Sequence, residues 1–260
     1  MEIRLDGKRA IVTGGSSGIG QAIAQALADS GAQVAIQYRT HAEEARAMAD
    51  DIVRKGGKAL AIKADVADPN DIESMFNQVE YAWGGIDILV NSAGMDGKRA
   101  MSWEADLQEW KRVIDVNLTG AFVCCQHALR RMTAQQSGVI LNISSVHEIV
   151  AWSGYSAYAS SKAGLAMLTK TLAQEAAPYN VRVMTIAPGA IKTPINQDVW
   201  SNPETLKDLL KKIPLNRMGT PEDIANMSVM LVSDAASYMT GNTVFVDGGL
   251  TDYPDFAHGG

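Results

Sequence analysis

Short apolar runs alternate with helical patterns along most of the 260-residue chain. The runs are bounded by polar residues, as buried strands are, and they lie at 9–13, 32–38, 58–63, 86–91, 139–144, 181–186 and 243–246. Apolar residues recur at helical spacing in 21–28, 41–56, 70–83, 106–135, 156–178 and 221–232. Because strands and helices alternate, we predict a single α/β domain over 1–260, with a doubly wound parallel sheet of about seven strands.

One segment interrupts the alternation. Residues 190–220 separate the strand at 181–186 from the helix at 221–232, and they carry three prolines among mostly polar side chains. An insertion of this length in a compact domain is usually a lid or a binding loop. We predict a substrate lid here, and a surface excursion without function is the alternative.

Composition and charge exclude several classes of protein. The net charge is −6 without a basic stripe, which argues against nucleic acid or an anionic membrane as a partner. The chain has no run of eighteen apolar residues and no apolar signal region at its start, so we expect no membrane segment. Cys124 and Cys125 are adjacent in an apolar helical pattern and are interpreted as core residues. Without a disulfide framework, a reducing, cytoplasmic location is expected.

A glycine-rich turn follows the first strand and opens a helix. Gly14, Gly18 and Gly20 stand in the order Gly-x-x-x-Gly-x-Gly. Glycines let the backbone approach a pyrophosphate, and the start of the helix offers it unpaired N–H groups. The turn therefore indicates a dinucleotide site, although a simple chain reversal gives the same pattern.

Tyr158 and Lys162 are four residues apart, with Ser145 thirteen residues before the tyrosine. Residues at this spacing share one face of a helix. A phenol has a pKa of about 10, and a neighbouring ammonium lowers that pKa towards neutrality. Such a phenol can exchange a proton with an alcohol. The pattern predicts redox chemistry at a hydroxyl or carbonyl group, provided that a hydride acceptor binds nearby.

Polar and glycine residues follow most of the predicted strands. In an open parallel sheet, ligands bind outside the carboxyl ends of the strands. The residues concerned are Thr13-Gly14, Tyr38-Arg39, Asp65-Val66, Asn91-Ser92-Ala93-Gly94, Ser144-Ser145 and Pro188-Gly189. We therefore expect them to meet at one edge of the sheet.

Taken in order, these motifs resemble those of the short-chain dehydrogenase/reductase family over essentially the whole chain. The matching residues are Thr13-Gly14-x-x-x-Gly18-x-Gly20, Asp65-Val66, Asn91-x-Ala93-Gly94, Asn117 within 115–120, Ser145, Tyr158-x-x-x-Lys162 and Pro188-Gly189. Ser92 departs from the family pattern, which often has a second asparagine there. The resemblance implies a Rossmann-type fold, a nicotinamide cofactor and usually a homotetramer.

The resemblance also implies a role for individual residues. Tyr158 would be the catalytic acid/base, Lys162 would lower its pKa and hold the nicotinamide ribose, and Ser145 would orient the substrate oxygen. Asn117 would hold a water behind the lysine. The residues expected to bind the cofactor are Gly14, Ser16, Ser17, Gly18, Ile19, Gly20, Tyr38, Arg39, Asp65, Val66, Asn91, Ala93, Gly94, Tyr158, Lys162, Pro188, Gly189, Ile191 and Thr193.

The choice of cofactor depends on the end of the second strand. NAD enzymes place an acid there to bind the ribose 2′-hydroxyl, whereas this chain has Tyr38 and Arg39. An arginine can pair with a 2′-phosphate, so we predict NADP(H) as the preferred cofactor, with NAD(H) tolerated. The alternative is that Arg39 only pairs with a helix carboxylate such as Glu43.

The substrate is less well specified. The segments 144–148, 188–196 and 246–254 resemble those of bacterial glucose 1-dehydrogenases, which implies oxidation of an aldose at C1. The residues expected to contact substrate are Ser145, His147, Glu148, Tyr158 and Asn196, and Asp96, Lys98 and Trp152 are further candidates. His147 lacks a second ligand at metal spacing, so no metal is expected. The alternatives are a 3-oxoacyl-carrier-protein reductase, another ketone or aldehyde reductase, or a non-catalytic dinucleotide-binding protein.

Self-association is expected from two long helical patterns. The stretches 106–135 and 156–178 carry apolar residues around much of their circumference, and such surfaces need burial. The resemblance implies that they form a four-helix contact between subunits of a homotetramer. We also expect Tyr253 and Phe256 near the C-terminus to pack against a neighbouring subunit.

Overall fold

The computed structural model describes residues 3–252, which form an α/β fold around one parallel sheet. The strands are β1 (Arg9–Thr13), β2 (Gln33–Tyr38), β3 (Lys58–Lys63), β4 (Ile88–Asn91), β5 (Gly138–Ile143), β6 (Val181–Pro188) and β7 (Thr243–Val246). Their order across the sheet is β3-β2-β1-β4-β5-β6-β7, and every neighbouring pair is parallel. The predicted doubly wound sheet of seven strands is confirmed.

Helices cover both faces of the sheet. They are α1 (Gly18–Asp29), α2 (Ala42–Arg54), α3 (Pro69–Trp83), α4 (Leu107–Ile114), α5 (Gly120–Gln135), α6 (Ser156–Ala176), α7 (Gln197–Trp200), α8 (Pro203–Leu210) and α9 (Pro221–Val232). One buried core packs α1, α2 and α9 against the sheet, and a second packs α3, α5 and α6 against its other face. Cys124 and Cys125 lie fully buried in the second core, where burial raises the pKa of both thiols.

The helix predicted over 106–135 is divided. A π-helical turn at Asp115–Thr119 lies between α4 and α5. The turn coincides with a close approach of two segments, because a side chain at Gly120 would overlap the carbonyl oxygen of Val66. Single π-turns inside helices occur frequently at functional sites.

The 190–220 segment is more ordered than its polar composition suggests. It contains a short 3-10 turn at Pro194–Asn196 followed by α7 and α8, and a parallel bridge between Ile191 and Gly219 closes its base. The side chain of Asn202 caps α8 by accepting hydrogen bonds from two backbone N–H groups. An asparagine followed by proline is a typical helix start, so the sequence did contain this signal.

No helix within residues 3–252 has the length and the apolar character needed to cross a membrane. The same residues contain no cluster of three or more His, Cys, Asp or Glu side chains that could hold a metal ion.

Candidate active site

A cleft with a cavity volume of about 230 Å³ lies at the carboxyl edge of the sheet. It extends from the glycine turn between β1 and α1 to Tyr158 and Lys162 on α6. The segment after β4 lines it on the way, at 92–96, and residues 193–195 line it from the 190–220 segment. The glycine turn and the Tyr158–Lys162 pair therefore line the same cavity.

The glycine turn can only be built from glycine. Gly14 and Gly18 have φ angles of +64° and +53°, in the left-handed region that side chains disfavour. A side chain at Gly20 would overlap the carbonyl oxygen of Gly14, so α1 can begin this close to β1 only with glycine there. Ser17 and Ile19 also line the cleft, whereas Ser16 is buried.

Gln37 holds this turn in place, although it was not among the site residues predicted from the sequence. Its side-chain oxygen accepts a hydrogen bond from the Gly14 N–H at 2.7 Å, and its side-chain nitrogen donates to the Ala64 carbonyl at 2.5 Å. Its backbone carbonyl also accepts from the Gly15 N–H at 3.0 Å. Gln37 thus joins the ends of three strands. The sequence feature that could have identified it is a polar residue inside an otherwise apolar strand.

Backbone contacts fix the segment after β4. The Thr13 hydroxyl oxygen accepts hydrogen bonds from the N–H groups of Ser92 and Ala93, at 3.0 and 3.1 Å. The side chain of Asn91 points into the core, where it donates to Asn142 at 2.8 Å. Because these contacts use the backbone of Ser92, its departure from the family pattern leaves the segment intact.

Tyr158 and Lys162 face the same cleft. The ammonium nitrogen of Lys162 lies 5.6 Å from the centroid of the Tyr158 ring and donates a hydrogen bond to the Ile143 carbonyl at 2.9 Å. Ser145 is buried beside the phenol, and its hydroxyl oxygen accepts from the His147 N–H at 3.2 Å. The end of β5 thus supplies one side of the site and α6 supplies the other.

The protonation of these two groups differs from the expectation based on charge alone. Burial raises the pKa of Tyr158 to about 12, Ser145 lowers it in part, and Asp96 raises it further. Burial lowers the pKa of Lys162 to about 8, against the opposing effects of Asp96 and Glu148. Lys162 was expected to bring the pKa of the phenol close to neutrality, but burial is the largest influence on that pKa and raises it. Tyr158 is therefore protonated at neutral pH.

Asn117 lies behind the lysine, within the π-helical turn. Its side-chain oxygen accepts from the Met95 N–H at 2.9 Å, and its nitrogen donates to the Met95 carbonyl at 2.8 Å. The same nitrogen contacts the Ser161 hydroxyl at 3.1 Å, one residue before Lys162. The side chain of Asn117 is thus occupied in joining the segment after β4 to α6.

The expected substrate residues divide into two groups. Ser145 lies at the phenol, and His147 lies close by, with its ring centroid 6.2 Å from that of Tyr158. The Glu148 carboxylate does not line the cleft but approaches the hydroxyls of Ser144 and Thr243, and burial raises its pKa. Both ends of the Asn196 amide are used within the 190–220 segment, by Thr193 and Ile191.

An aromatic stack stands beside Tyr158. The Trp152 ring stacks with His147 at 4.4 Å and with Tyr155 at 3.9 Å, measured between centroids. The Nδ1 atom of His147 contacts the Val150 carbonyl at 2.9 Å and must donate to it, while burial lowers the pKa of the ring. Nε2 of the neutral ring is therefore an acceptor. The indole has little free face left for a sugar.

Asp96 is a charged group of the cleft that has no hydrogen-bond partner among residues 3–252. It follows the segment after β4 and lines the same cavity as Tyr158. Burial raises the pKa of its carboxyl group, and the charges of Lys162 and His147 partly oppose that effect. Within residues 3–252 the carboxylate accepts no hydrogen bond from another side chain or N–H group. It is free to accept one from a ligand.

The ends of β2 and β3 contain the remaining expected cofactor residues. Tyr38 is buried in the core, whereas Arg39 is half exposed. The Arg39 guanidinium lies 3.8 Å from the Asp65 carboxylate, and Glu43 is not its partner. Val66 is buried next to Asp65. Across the sheet, the Gly189 N–H donates to the Val246 carbonyl at 3.0 Å, and Ile191 and Thr193 are buried beyond it.

Comparison with known proteins gives relatives that span nearly the full chain. A family model described as enoyl-(acyl carrier protein) reductase matches residues 14–251. The 3beta-hydroxysteroid dehydrogenase 1 of Eggerthella lenta is 45% identical over 256 residues, covering 98% of each chain. Glucose 1-dehydrogenase 2 of Bacillus subtilis is 42% identical, covering 96% of this chain and 97% of its own. A 3-oxoacyl-[acyl-carrier-protein] reductase of Staphylococcus aureus is also 42% identical, covering 94% and 98%.

Two solved structures are also similar to this chain over nearly their full length. A short-chain type dehydrogenase/reductase from Mycobacterium marinum is 39% identical with a TM-score of 0.89, covering 95% of this chain and 97% of its own. A gluconate 5-dehydrogenase from Burkholderia cenocepacia, solved with NADP and tartrate, is 34% identical with a TM-score of 0.91, covering 96% and 98%. The chain thus belongs to the short-chain dehydrogenase/reductase family of NAD(P)-dependent oxidoreductases, which act on CH–OH groups.

Proposed function

We propose that the protein is an NADP(H)-preferring dehydrogenase that oxidises an aldose at C1, as a glucose 1-dehydrogenase does. The observation that carries this proposal is the unpartnered Asp96 carboxylate in the cleft that also holds Tyr158. A sugar hydroxyl loses water on binding and needs a hydrogen-bond acceptor in return. The Asp96 carboxylate offers this acceptor to a hydroxyl other than the one that reacts. The relative named glucose 1-dehydrogenase 2 supports the same substrate class.

The residues of the cleft suit a proton transfer coupled to hydride loss. Ser145 orients the C1 hydroxyl, Tyr158 takes its proton, and the C1 hydrogen leaves with its electron pair as a hydride. Lys162 holds positive charge behind the phenol, which favours the phenolate formed for this step. A bound oxidised nicotinamide would supply the hydride-accepting carbon and a second positive charge, and that charge would lower the pKa of Tyr158.

The glycine turn fits the phosphates of such a cofactor. Its three glycines leave the backbone bare where α1 begins, and the turn opens directly into the cleft. Arg39 stands beyond the turn at the end of β2, where it can pair with a 2′-phosphate. A structural relative solved with NADP supports the preference. We keep NAD(H) as a tolerated cofactor.

A hydroxysteroid is a second candidate substrate. The stack of Trp152, His147 and Tyr155 lies beside Tyr158, and the exposed side chain of Ile195 lines the cleft that holds Tyr158. A flat apolar ring system would pack against such a surface. The relative named 3beta-hydroxysteroid dehydrogenase 1 favours this alternative.

A substrate panel separates the candidates. Purified protein is given glucose or a 3β-hydroxysteroid with NADP⁺ or NAD⁺, and acetoacetyl thioester with NADPH or NADH, while reduced nicotinamide is followed by absorbance. We expect kcat/KM to be highest for glucose with NADP⁺. A higher value for the steroid or the thioester would move the assignment to that class.

Asp96→Asn tests the contact that carries the proposal. We expect KM for glucose to rise about tenfold or more, since hydrogen bonds to a charged group are worth about 1.5–3 kcal/mol. KM for a simple monohydroxyl alcohol should change less than twofold. Asp50→Asn, the same change at an exposed site on α2, is the matched control. An equal change in KM for both alcohols would remove Asp96 from sugar binding.

Further proposals concern assembly and the 190–220 segment. We propose a homotetramer in which α5 and α6 pack against a second subunit, because Phe122 and Met167 expose apolar surface on them. Light scattering in solution measures the mass of the assembly directly.

We also propose that 190–220 acts as a substrate lid within a single domain. Tyr253 and Phe256 lie outside the described residues, and their contact stays a prediction, as does the cytoplasmic location.

A further inference from the structure

Two side chains with opposite charge meet at the end of β2 and β3. The Arg39 guanidinium and the Asp65 carboxylate are 3.8 Å apart, with 46% and 32% of the side chains exposed. Because β2 and β3 are neighbouring parallel strands, the residues that follow them lie side by side at the carboxyl edge of the sheet.

Asp65 is held more firmly than Arg39. One of its carboxylate oxygens accepts from the Ala67 N–H at 3.0 Å, and its backbone N–H donates to Asp71 at 2.8 Å. The other carboxylate oxygen faces Arg39. The ion pair with Asp65 is the one polar contact of the Arg39 side chain among residues 3–252. A fixed carboxylate thus faces a cation that can change partner.

We propose that Asp65 sets the balance between NADP(H) and NAD(H) by competing with the 2′-phosphate for Arg39. This inference rests on the proposed function, which brings the adenosine end of the cofactor to this edge. A 2′-phosphate can bind Arg39 only if Arg39 leaves Asp65. The phosphate must also approach the negatively charged Asp65 carboxylate. A neutral 2′-hydroxyl meets neither obstacle.

The pair is weak enough to be exchanged. An ion pair at this separation, with both side chains partly in solvent, contributes little on its own. A phosphate offers the planar guanidinium two oxygens and more charge than a carboxylate does. Arg39 therefore favours NADP(H), and Asp65 reduces that preference without abolishing it. The competition thus predicts a preference for NADP(H) with NAD(H) tolerated.

The test is direct binding of NADPH and NADH, followed by nicotinamide fluorescence, in the full-length protein. Four proteins are compared: wild type, Asp65→Asn, Arg39→Ala and the double variant. We expect Asp65→Asn to raise the affinity for NADPH relative to that for NADH about threefold to tenfold, since any contact of Asp65 common to both cofactors cancels in this ratio. In the Arg39→Ala background the same substitution should change the ratio less than twofold, because the competition no longer exists.

Controls keep the outcomes distinct. Asp50→Asn removes the same charge from an exposed site on α2 and should leave both affinities unchanged. Asp65→Ser removes the charge with a shorter side chain and replaces Asp65→Asn if that variant unfolds.

Each result bears on one claim. If Arg39→Ala weakens NADPH and NADH equally, the proposed position of the 2′-phosphate is wrong. If Arg39→Ala weakens NADPH alone but neither Asp65 variant raises the ratio of NADPH to NADH affinity, the cofactor preference stands and the inference about Asp65 is overturned. An equal gain in the Arg39→Ala background would also overturn it, since Asp65 would then act without Arg39.

Discussion

Tyr158→Phe is expected to lower kcat by about 100- to 10,000-fold, the range that proton transfer by a positioned side chain contributes. The substitution removes only the hydroxyl, so the contacts of the ring with His147 and Trp152 remain. NADPH affinity should stay within about twofold of wild type, because Lys162 and the glycine turn are unchanged. Steady-state kinetics on the best substrate of the panel and NADPH fluorescence measure the two quantities.

Tyr155→Phe is the matched control for this prediction. Tyr155 lies three residues earlier and stacks on Trp152, and its hydroxyl has no partner among residues 3–252. We expect its kcat within about threefold of wild type. If Tyr158→Phe kept a tenth or more of the wild-type kcat, the phenol would not be the proton-transfer group.

Gly20→Ala is expected to weaken NADPH binding at least tenfold and to destabilise the fold. A methyl group at this position would overlap the Gly14 carbonyl oxygen, so α1 or the turn must move. Overpacking of this kind costs about 1–3 kcal/mol, and here the displaced backbone is the proposed phosphate site. Fluorescence titration gives the affinity, and denaturant unfolding gives the stability.

Gly7→Ala separates the two effects. Gly7 has a φ of +76° with open space around it, so alanine strains the backbone without displacing a neighbour. We expect lower stability and unchanged NADPH affinity. Unchanged affinity in Gly20→Ala as well would mean that the glycine turn does not bind the cofactor.

The sheet could be predicted from local patterns, and so could the position of the glycine turn and the Tyr158–Lys162 pair at one edge of it. Apolar runs fix the strands, and parallel strands bring their carboxyl ends to one edge. Tyr158 and Lys162 share a helix face by spacing alone. Their position in the cleft with Gly14 therefore followed from the order of the elements.

What could not be predicted depends on contacts between distant residues. The pKa of Tyr158 moves opposite to expectation because burial of the phenol, which the sequence does not state, is its largest influence and raises it. The partner of Arg39 is Asp65, which follows the neighbouring strand β3, whereas sequence proximity suggested Glu43. Asn196 is occupied within its own segment, which only the folded chain of 190–220 could show.

The pH dependence of kcat in both directions tests the central role of Tyr158 most directly. Because burial raises the pKa of Tyr158, the phenol is protonated at neutral pH and can donate to a carbonyl, whereas alcohol oxidation needs the phenolate. We predict that kcat for oxidation rises with pH, that kcat for reduction falls over the same range, and that Tyr158→Phe loses both dependences. Parallel pH profiles in the two directions, or the wild-type profiles retained in Tyr158→Phe, would contradict the account.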